Sequence, residues 1–186
     1  LPLHLDKIDV PSYRERHKLS PEEAARNVRY NFLKQVAEKN GFTKIAVGHH
    51  LDDNAELVLM FLLRGSGPLG LSGMPPVRDE KIIRPLIDIR RSEILNYLTQ
   101  KKLPYVSDST NTNQSYLRNK IRHDLLPELA SKYNPNIVET LNRLACLTRS
   151  EEQWMETLVE PIFHTILIKR DSEAVHLSLK SLAGFP

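Results

Sequence analysis

Thr43-Lys44-Ile45-Ala46-Val47-Gly48-His49-His50-Leu51-Asp52-Asp53-Asn54-Ala55-Glu56 is the stretch that decides the fold. Its first five residues are a short, apolar, partly β-branched run, which predicts a buried strand of a parallel sheet. Asp52 or Asp53 is placed to cap a helix running through Arg64, with Leu57, Leu59, Met60, Leu62 and Leu63 along it. Upstream, Ser20-Pro21-Glu22-Glu23 reads as a helix start: Ser20 caps, Pro21 fits the first turn, and Glu23 completes a capping box. That helix carries Ala25, Val28, Phe32 and Val36 at helical spacing and stops at Asn40-Gly41. Residues 3–10 alternate apolar and polar and predict another short strand. Downstream, Ile82-Ile83-Arg84-Pro85-Leu86 is extended, and Asp88 opens a helix to about Lys101. Strands alternating with helices predict an α/β class built on a parallel sheet.

The character changes past Asn111. Residues 116–133 read as helix, restarted at Pro127. Asn134-Pro135 begins another, with Ile137, Leu141, Leu144, Trp154 and Leu158 on its apolar side and Pro161 as its end. Residues 176–179 look like a strand. A boundary near Tyr133 divides a parallel-sheet domain, 1–133, from an α-helical segment, 134–186. The net charge of +3 is mild. Residues 110–149 hold six basic against three acidic side chains, an excess equal to the net charge of the whole chain, so this segment is read as the positive side of the protein. No run of eighteen apolar residues predicts a membrane span. The single cysteine, Cys146, cannot form an internal disulfide, which suits a cytoplasmic protein. Among Leu144, Ala145 and Leu147 it reads as a small core side chain.

Several segments could carry chemistry. Residues 48–56 follow a predicted parallel strand, and ligands of open α/β sheets bind beyond the carboxyl ends of the strands. Two histidines and three carboxylates there could hold a magnesium-bound nucleotide or a cationic amine. Asp53 and Glu56 share one helix face, and two anions on one face suit an ammonium group. The bland reading makes Asp52 and Asp53 caps and leaves Glu56 solvated. A His-His-x-Asp-Asp cluster also raises a metal-hydrolase reading, although His17, His123, His164 and His176 form no second cluster and no metal ligand is assigned. Residues 64–74 are glycine-rich but follow a helix and lack a Gly-Lys-Ser/Thr ending, so a structural turn is the default. Arg118 and Arg122 lie four apart, against Leu117, Ile121 and Leu125 on another face. That is an amphipathic helix whose basic outer side suits phosphate oxygens or simply faces solvent. Arg26 and Arg29 lie three apart and could reach phosphate or be plain surface residues.

The order of these segments is more specific than any one of them. Ser-x-Glu-Glu-Ala-Ala-Arg-x-x-Arg-Tyr precedes Gly-His-His-x-Asp-Asp-x-Ala-Glu; Arg-Gly-Ser-Gly-x-x-Gly-Leu-x-Gly-Met, Ile-Arg-Pro-Leu, Asp-x-(Ser/Thr)-Asn and Arg-Asn-x-Ile-Arg-His-x-Leu-Leu-Pro follow. This series, over residues 20–127, resembles the tRNA(Ile)-lysidine synthetase family of N-type ATP pyrophosphatases. The resemblance implies an adenine nucleotide alpha hydrolase-like domain and a C–N bond-forming ligase. That ligase adenylates the carbonyl oxygen on C2 of the wobble cytidine of tRNA(Ile) with a CAU anticodon, using ATP and Mg2+ and releasing pyrophosphate. Free L-lysine then displaces AMP through its ε-amine. Carried over by motif, Gly48, Arg26 and Arg29 fall on the nucleotide side. His49, Asp53 and Arg122 fall near the chemistry. Asp53 and Glu56 fall on the lysine amine, and Arg118, Lys120 and Arg122 on tRNA. Residues after Asn134 resemble the family's linker and the start of its substrate domain, and the family also allows a homodimer.

One departure stands out: the family's Ser-Gly-Gly-x-Asp-Ser phosphate loop is absent from these 186 residues. A piece that starts downstream of the loop and a degenerate, non-catalytic tRNA- or nucleotide-binding relative both fit. The abrupt start favours the first, and in either case the chain alone is expected to be inactive. The nearest rival activity is tRNA 2-thiolation in the same superfamily, which uses cysteines that this chain mostly lacks.

Overall fold

The computed structural model describes residues 2–106, 117–171 and 174–184. The chain divides into two compact units, Leu1–His50 with Pro75–Asp88, and Leu51–Met74 with Ile89–Pro186.

The first unit contains α1 (Val10–His17), α2 (Pro21–Lys39) and a three-stranded sheet of β1 (Ile45–Ala46), β2 (Val77–Arg78) and β3 (Ile82–Ile83). The sheet order is β1-β3-β2, with β1 parallel to β3 and β2 antiparallel to it. The helix start at Ser20 forms as expected: its Oγ accepts from the Glu23 N–H at 3.3 Å, and Glu23 Oε2 accepts from the Ser20 N–H at 3.0 Å. Two orphan donors of the first turn are thereby satisfied. The helix stops at Asn40, and Gly41 follows with φ +68°.

Three expectations for this unit need correction. Residues 3–9 form no strand, and Leu3 and Leu5 are exposed. The regular element is α1, started by Asp9, whose Oδ1 accepts from the Ser12 N–H, with Pro11 in the first turn. Capping chemistry outweighs a weak alternation. The face that α2 buries is Ala24, Tyr30 and Ala37; Ala25 is exposed, and Val28, Phe32 and Val36 are half-buried. Strand β1 is not buried: Ile45 is half-buried and Ala46 exposed, and the strand pairs on one side only among the described residues.

The second unit is helical: α3 (Leu51–Leu63), α4 (Pro68–Leu71), α5 (Arg91–Gln100), α6 (Leu117–Lys120), a π-helical turn (Ile121–Leu125), α7 (Leu126–Lys132), α8 (Ile137–Ile166) and α9 (Leu179–Leu182). Strands β4 (Leu167–Arg170) and β5 (Val175–Leu177) form an antiparallel hairpin. Ala55, Val58 and Leu59 of α3 pack with Ile121, Leu126, Val138, Leu141 and Ala145. Fully burying a Val or Ile side chain contributes roughly 1.5–3 kcal/mol, so this cluster anchors α3. The π-turn has a local cause. Pro127 has no N–H and its ring crowds the carbonyl four residues back; the wider turn before it accommodates both.

Here too some expectations fail. Helix α5 begins at Arg91 rather than Asp88, with Glu93 Oε2 accepting the Arg90 N–H at 2.8 Å. Helix α8 runs through Pro161 to Ile166 rather than ending there: proline's fixed φ is compatible with a helix, although the residue removes one hydrogen bond and crowds the carbonyl four residues back. Its buried face is Val138, Leu141, Ala145 and Thr148, whereas Leu144, Trp154 and Leu158 are exposed. Cys146 is exposed as well, because Ala145 takes the inward position and the next residue is turned about 100° away. No helix among the described residues is long and apolar enough to cross a membrane.

Candidate functional site

The second unit holds a compact cluster of four charged side chains. Helix α3 carries Asp53 and Glu56 on one face, as their spacing requires, and both are buried, Glu56 at 1% exposure. A buried carboxylate costs several kcal/mol unless it is paired and hydrogen-bonded. Both are. Arg122 grips Glu56 through two bonds, Nε to Oε1 at 2.5 Å and Nη2 to Oε2 at 3.0 Å, and its Nη2 also reaches Asp53 Oδ1 at 3.0 Å. Arg118 donates from Nε to Glu56 Oε2 at 2.8 Å and from Nη2 to Asp53 Oδ1 at 2.9 Å. Burial alone would lower the Arg122 guanidinium's pKa. The bonds and charge of Glu56, with Asp53 and Asp52 behind them, outweigh that and hold it above its ordinary value.

The helical face bearing Arg118 and Arg122 is therefore turned to carboxylates, not outward to solvent as an amphipathic reading suggests. Lys120 is the exposed member. Nor is Glu56 solvated, and Asp52 Oδ2 accepts the Arg91 N–H at the start of α5 at 2.8 Å.

Polar bonds that sequence reading missed fix this helix. Asn54 donates from Nδ2 to Asn142 Oδ1 at 2.7 Å and accepts the Met74 N–H at 2.6 Å. Asn142 donates onward to the carbonyls of Leu51 and Val138. Arg149 donates to the carbonyls of Ser72 and Met74. The glycine-rich segment is thus a structural turn. Gly73 has φ +63°, and a Cβ there would lie 2.4 Å from Asn54 Oδ1. An asparagine beside the apolar residues of each helix is the available signal, although it names no partner.

The first unit has a different character. Arg29, Tyr30, Leu33, Val47, Gly48 and His49 line a cleft of about 320 Å³. Arg26 and Arg29 each place Cζ 5.7 Å from the Tyr30 ring centre, and Arg78 of β2 lies at 4.8 Å. Arg84, at 3% exposure, donates to the Pro75 carbonyl. Burial lowers its pKa; Tyr30 opposes this, and the nearby positive charges of Arg78 and Arg26 push the same way as burial. Among the described residues, Asp79 is the carboxylate paired with this group, 3.4 Å from Arg78 and largely exposed. The structure thus brings Arg29, Gly48 and His49 to one cleft, with Arg26 at the same tyrosine. Arg78 and Arg84 were missed because they lie about fifty residues further along the chain.

A family model for the PP-loop domain matches residues 1–129. The chain belongs to the PP-loop domain family. It is an α/β nucleotide-binding fold, as the strand–helix alternation predicts. This PP-loop chain is 38% identical over 172 residues to a tRNA(Ile)-lysidine synthase of Clostridioides difficile, covering 92% of the chain and 37% of that relative. It is 42% identical over 160 residues to a tRNA(Ile)-lysidine synthase of Thermotoga maritima, covering 86% of the chain and 38% of that relative. The chain therefore spans little more than a third of the curated relatives it matches. Among solved structures it is similar in fold to a U34-tRNA thiolase of Methanococcus maripaludis, determined with its [4Fe-4S] cluster. The TM-score is 0.52 and the identity 24%, over 68% of this chain and 44% of that one.

Proposed function

We propose that the protein is a tRNA(Ile)-lysidine synthase, a ligase joining free L-lysine to C2 of the wobble cytidine of tRNA(Ile) with a CAU anticodon. The observation that carries this is its identity of about 40% with synthases of that name over most of the chain. The two charged regions support it chemically. In the first unit, Arg26, Arg29, Gly48 and His49 are proposed to meet ATP, where cationic groups offset charge developing on the transferring phosphate. In the second, Asp53 and Glu56 are proposed to hold the lysine ammonium. His49, Asp53 and Arg122 act near the reacting atoms, and Arg118, Lys120 and Arg122 serve tRNA.

Residues 1–133 belong to the catalytic domain in this reading, and 134–186 begin the tRNA-binding part. The protein works in the cytoplasm, and a homodimer is consistent with the family. Mg2+ enters with the ATP phosphates. Among the described residues no group of three or more His, Cys, Asp or Glu side chains is placed to hold a metal, so no residue is assigned to it. The single cysteine of this chain favours lysidine formation over a thiolation that draws on several.

The test is nucleoside analysis of tRNA(Ile) (CAU) incubated with the full-length protein, ATP and lysine. Lysidine replacing the wobble cytidine is the expected product. Unchanged cytidine, or a 2-thiolated base, would overturn the proposal. The 186-residue chain alone, which has no Ser-Gly-Gly-x-Asp-Ser loop to cradle pyrophosphate, is expected to give no lysidine.

A further inference from the structure

The carboxylates proposed for the lysine ammonium already carry two guanidiniums. Asp53 and Glu56 supply two negative charges, and Arg118 and Arg122 two positive ones, all joined by bonds of 2.5–3.0 Å. Adding an ammonium to this set leaves a buried excess of positive charge, which is costly away from water. Exchanging it for one guanidinium keeps the charge unchanged.

The two arginines are not equivalent candidates for departure. Arg122 is bidentate on Glu56 and its side chain is 24% exposed; Arg118 gives one bond to each carboxylate and is 40% exposed. If Arg118 leaves, Arg122 still bonds both oxygens of Glu56 and Oδ1 of Asp53. If Arg122 leaves, Glu56 Oε1 loses the bond it has. The Arg118 side chain is already partly exposed, so its head can reach solvent while its stem stays packed.

We propose that Arg118 is an exchangeable counter-ion. It keeps the place of the lysine ε-ammonium on Asp53 and Glu56, and lysine binding releases its guanidinium to a phosphate of the tRNA. The idea rests on the lysidine-synthase reading and adds to it a coupling between two substrates. Lysine entry frees a tRNA contact, and tRNA, by drawing Arg118 away, clears the lysine site. Such coupling is reciprocal, so each substrate raises the other's affinity by the same factor.

The experiment measures lysine affinity of the full-length protein by calorimetry, with and without tRNA(Ile) (CAU), for wild type, Arg118→Ala and Arg118→Gln. In wild type, tRNA is expected to tighten lysine binding about 5-fold or more. In both variants lysine should bind more tightly than to wild type without tRNA, and tRNA should add nothing. A merely structural arginine would instead weaken lysine binding when removed. Unchanged or weaker lysine binding in the variants overturns the exchange while leaving the lysine site standing. A wild type whose lysine affinity ignores tRNA also overturns it, even if neither variant folds. Absence of lysine binding to wild type overturns the lysidine-synthase reading itself, and the exchange with it.

Discussion

The two charged regions solve opposite problems. Around Asp53 and Glu56, two anions and two cations are bonded into a neutral group in a mostly buried setting. Around Tyr30, four guanidiniums gather, and among the described residues one exposed aspartate pairs with Arg78. The first arrangement stabilises the fold it sits in, because removing either sign leaves the other stranded. The second repels itself and gains from a bound anion. The difference teaches that charge count along a chain says little about a site. Residues 110–149 carry six basic against three acidic side chains, yet two of those arginines are neutralised by carboxylates.

Glu56→Gln is the change with the largest expected effect. It leaves Arg118 and Arg122 facing one carboxylate, and the folded state should lose about 3–5 kcal/mol, read from urea unfolding. A loss under about 1 kcal/mol would mean the group is no more than a surface ion pair. Next comes Gly73→Ala, which puts a Cβ against Asn54 at a left-handed backbone position. About 2–3 kcal/mol should be lost, with the Met74 bond to Asn54 broken. Thermal unfolding measures this, and a neutral outcome would show that the turn is not stapled to α3.

A smaller effect separates the buried group from an ordinary pair in the same unit. Hydrogen bonding from Arg90 lowers the pKa of Glu139, with desolvation opposing. Its contribution is present at neutral pH and disappears as pH falls through the carboxylate range. Both side chains are partly exposed, so Glu139→Gln should cost well under about 1 kcal/mol at pH 7 and nothing in acid. The smallest stability effect belongs to the other region. Arg29→Ala should shift unfolding by no more than about 0.5 kcal/mol, since a cation–π contact is lost and self-repulsion relieved. The same change should weaken ATP binding. A large stability loss with ATP binding intact would erase the contrast.

Local signals were legible in the sequence, and long-range pairings were not. The Ser20–Glu23 box, the stop at Asn40-Gly41 and the strands around Ile45 and Ile82 are written in neighbouring residues, so they were readable. The shared face of Asp53 and Glu56 follows from helical spacing alone. Their partners lie 62 to 69 residues away, beyond a segment outside the described residues that contains the Asp-x-(Ser/Thr)-Asn motif. Spacing carries no information about such an encounter. Asn54 and Asn142, 88 residues apart, were hidden for the same reason. The start of helix α1 is written in Asp9, Pro11 and Ser12, a local capping signal that overrides the alternation of residues 3–10. The exposed Cys146 and Leu144 show how far a stripe read from the sequence can rotate once packing selects the face.

Paired titrations of lysine and ATP against full-length wild type and Asp53→Ala test the division of labour most directly. Lysine affinity should fall at least about tenfold, as for loss of a charged bond partner, while ATP affinity stays within about twofold. Lysine binding that survives Asp53→Ala unchanged would contradict it.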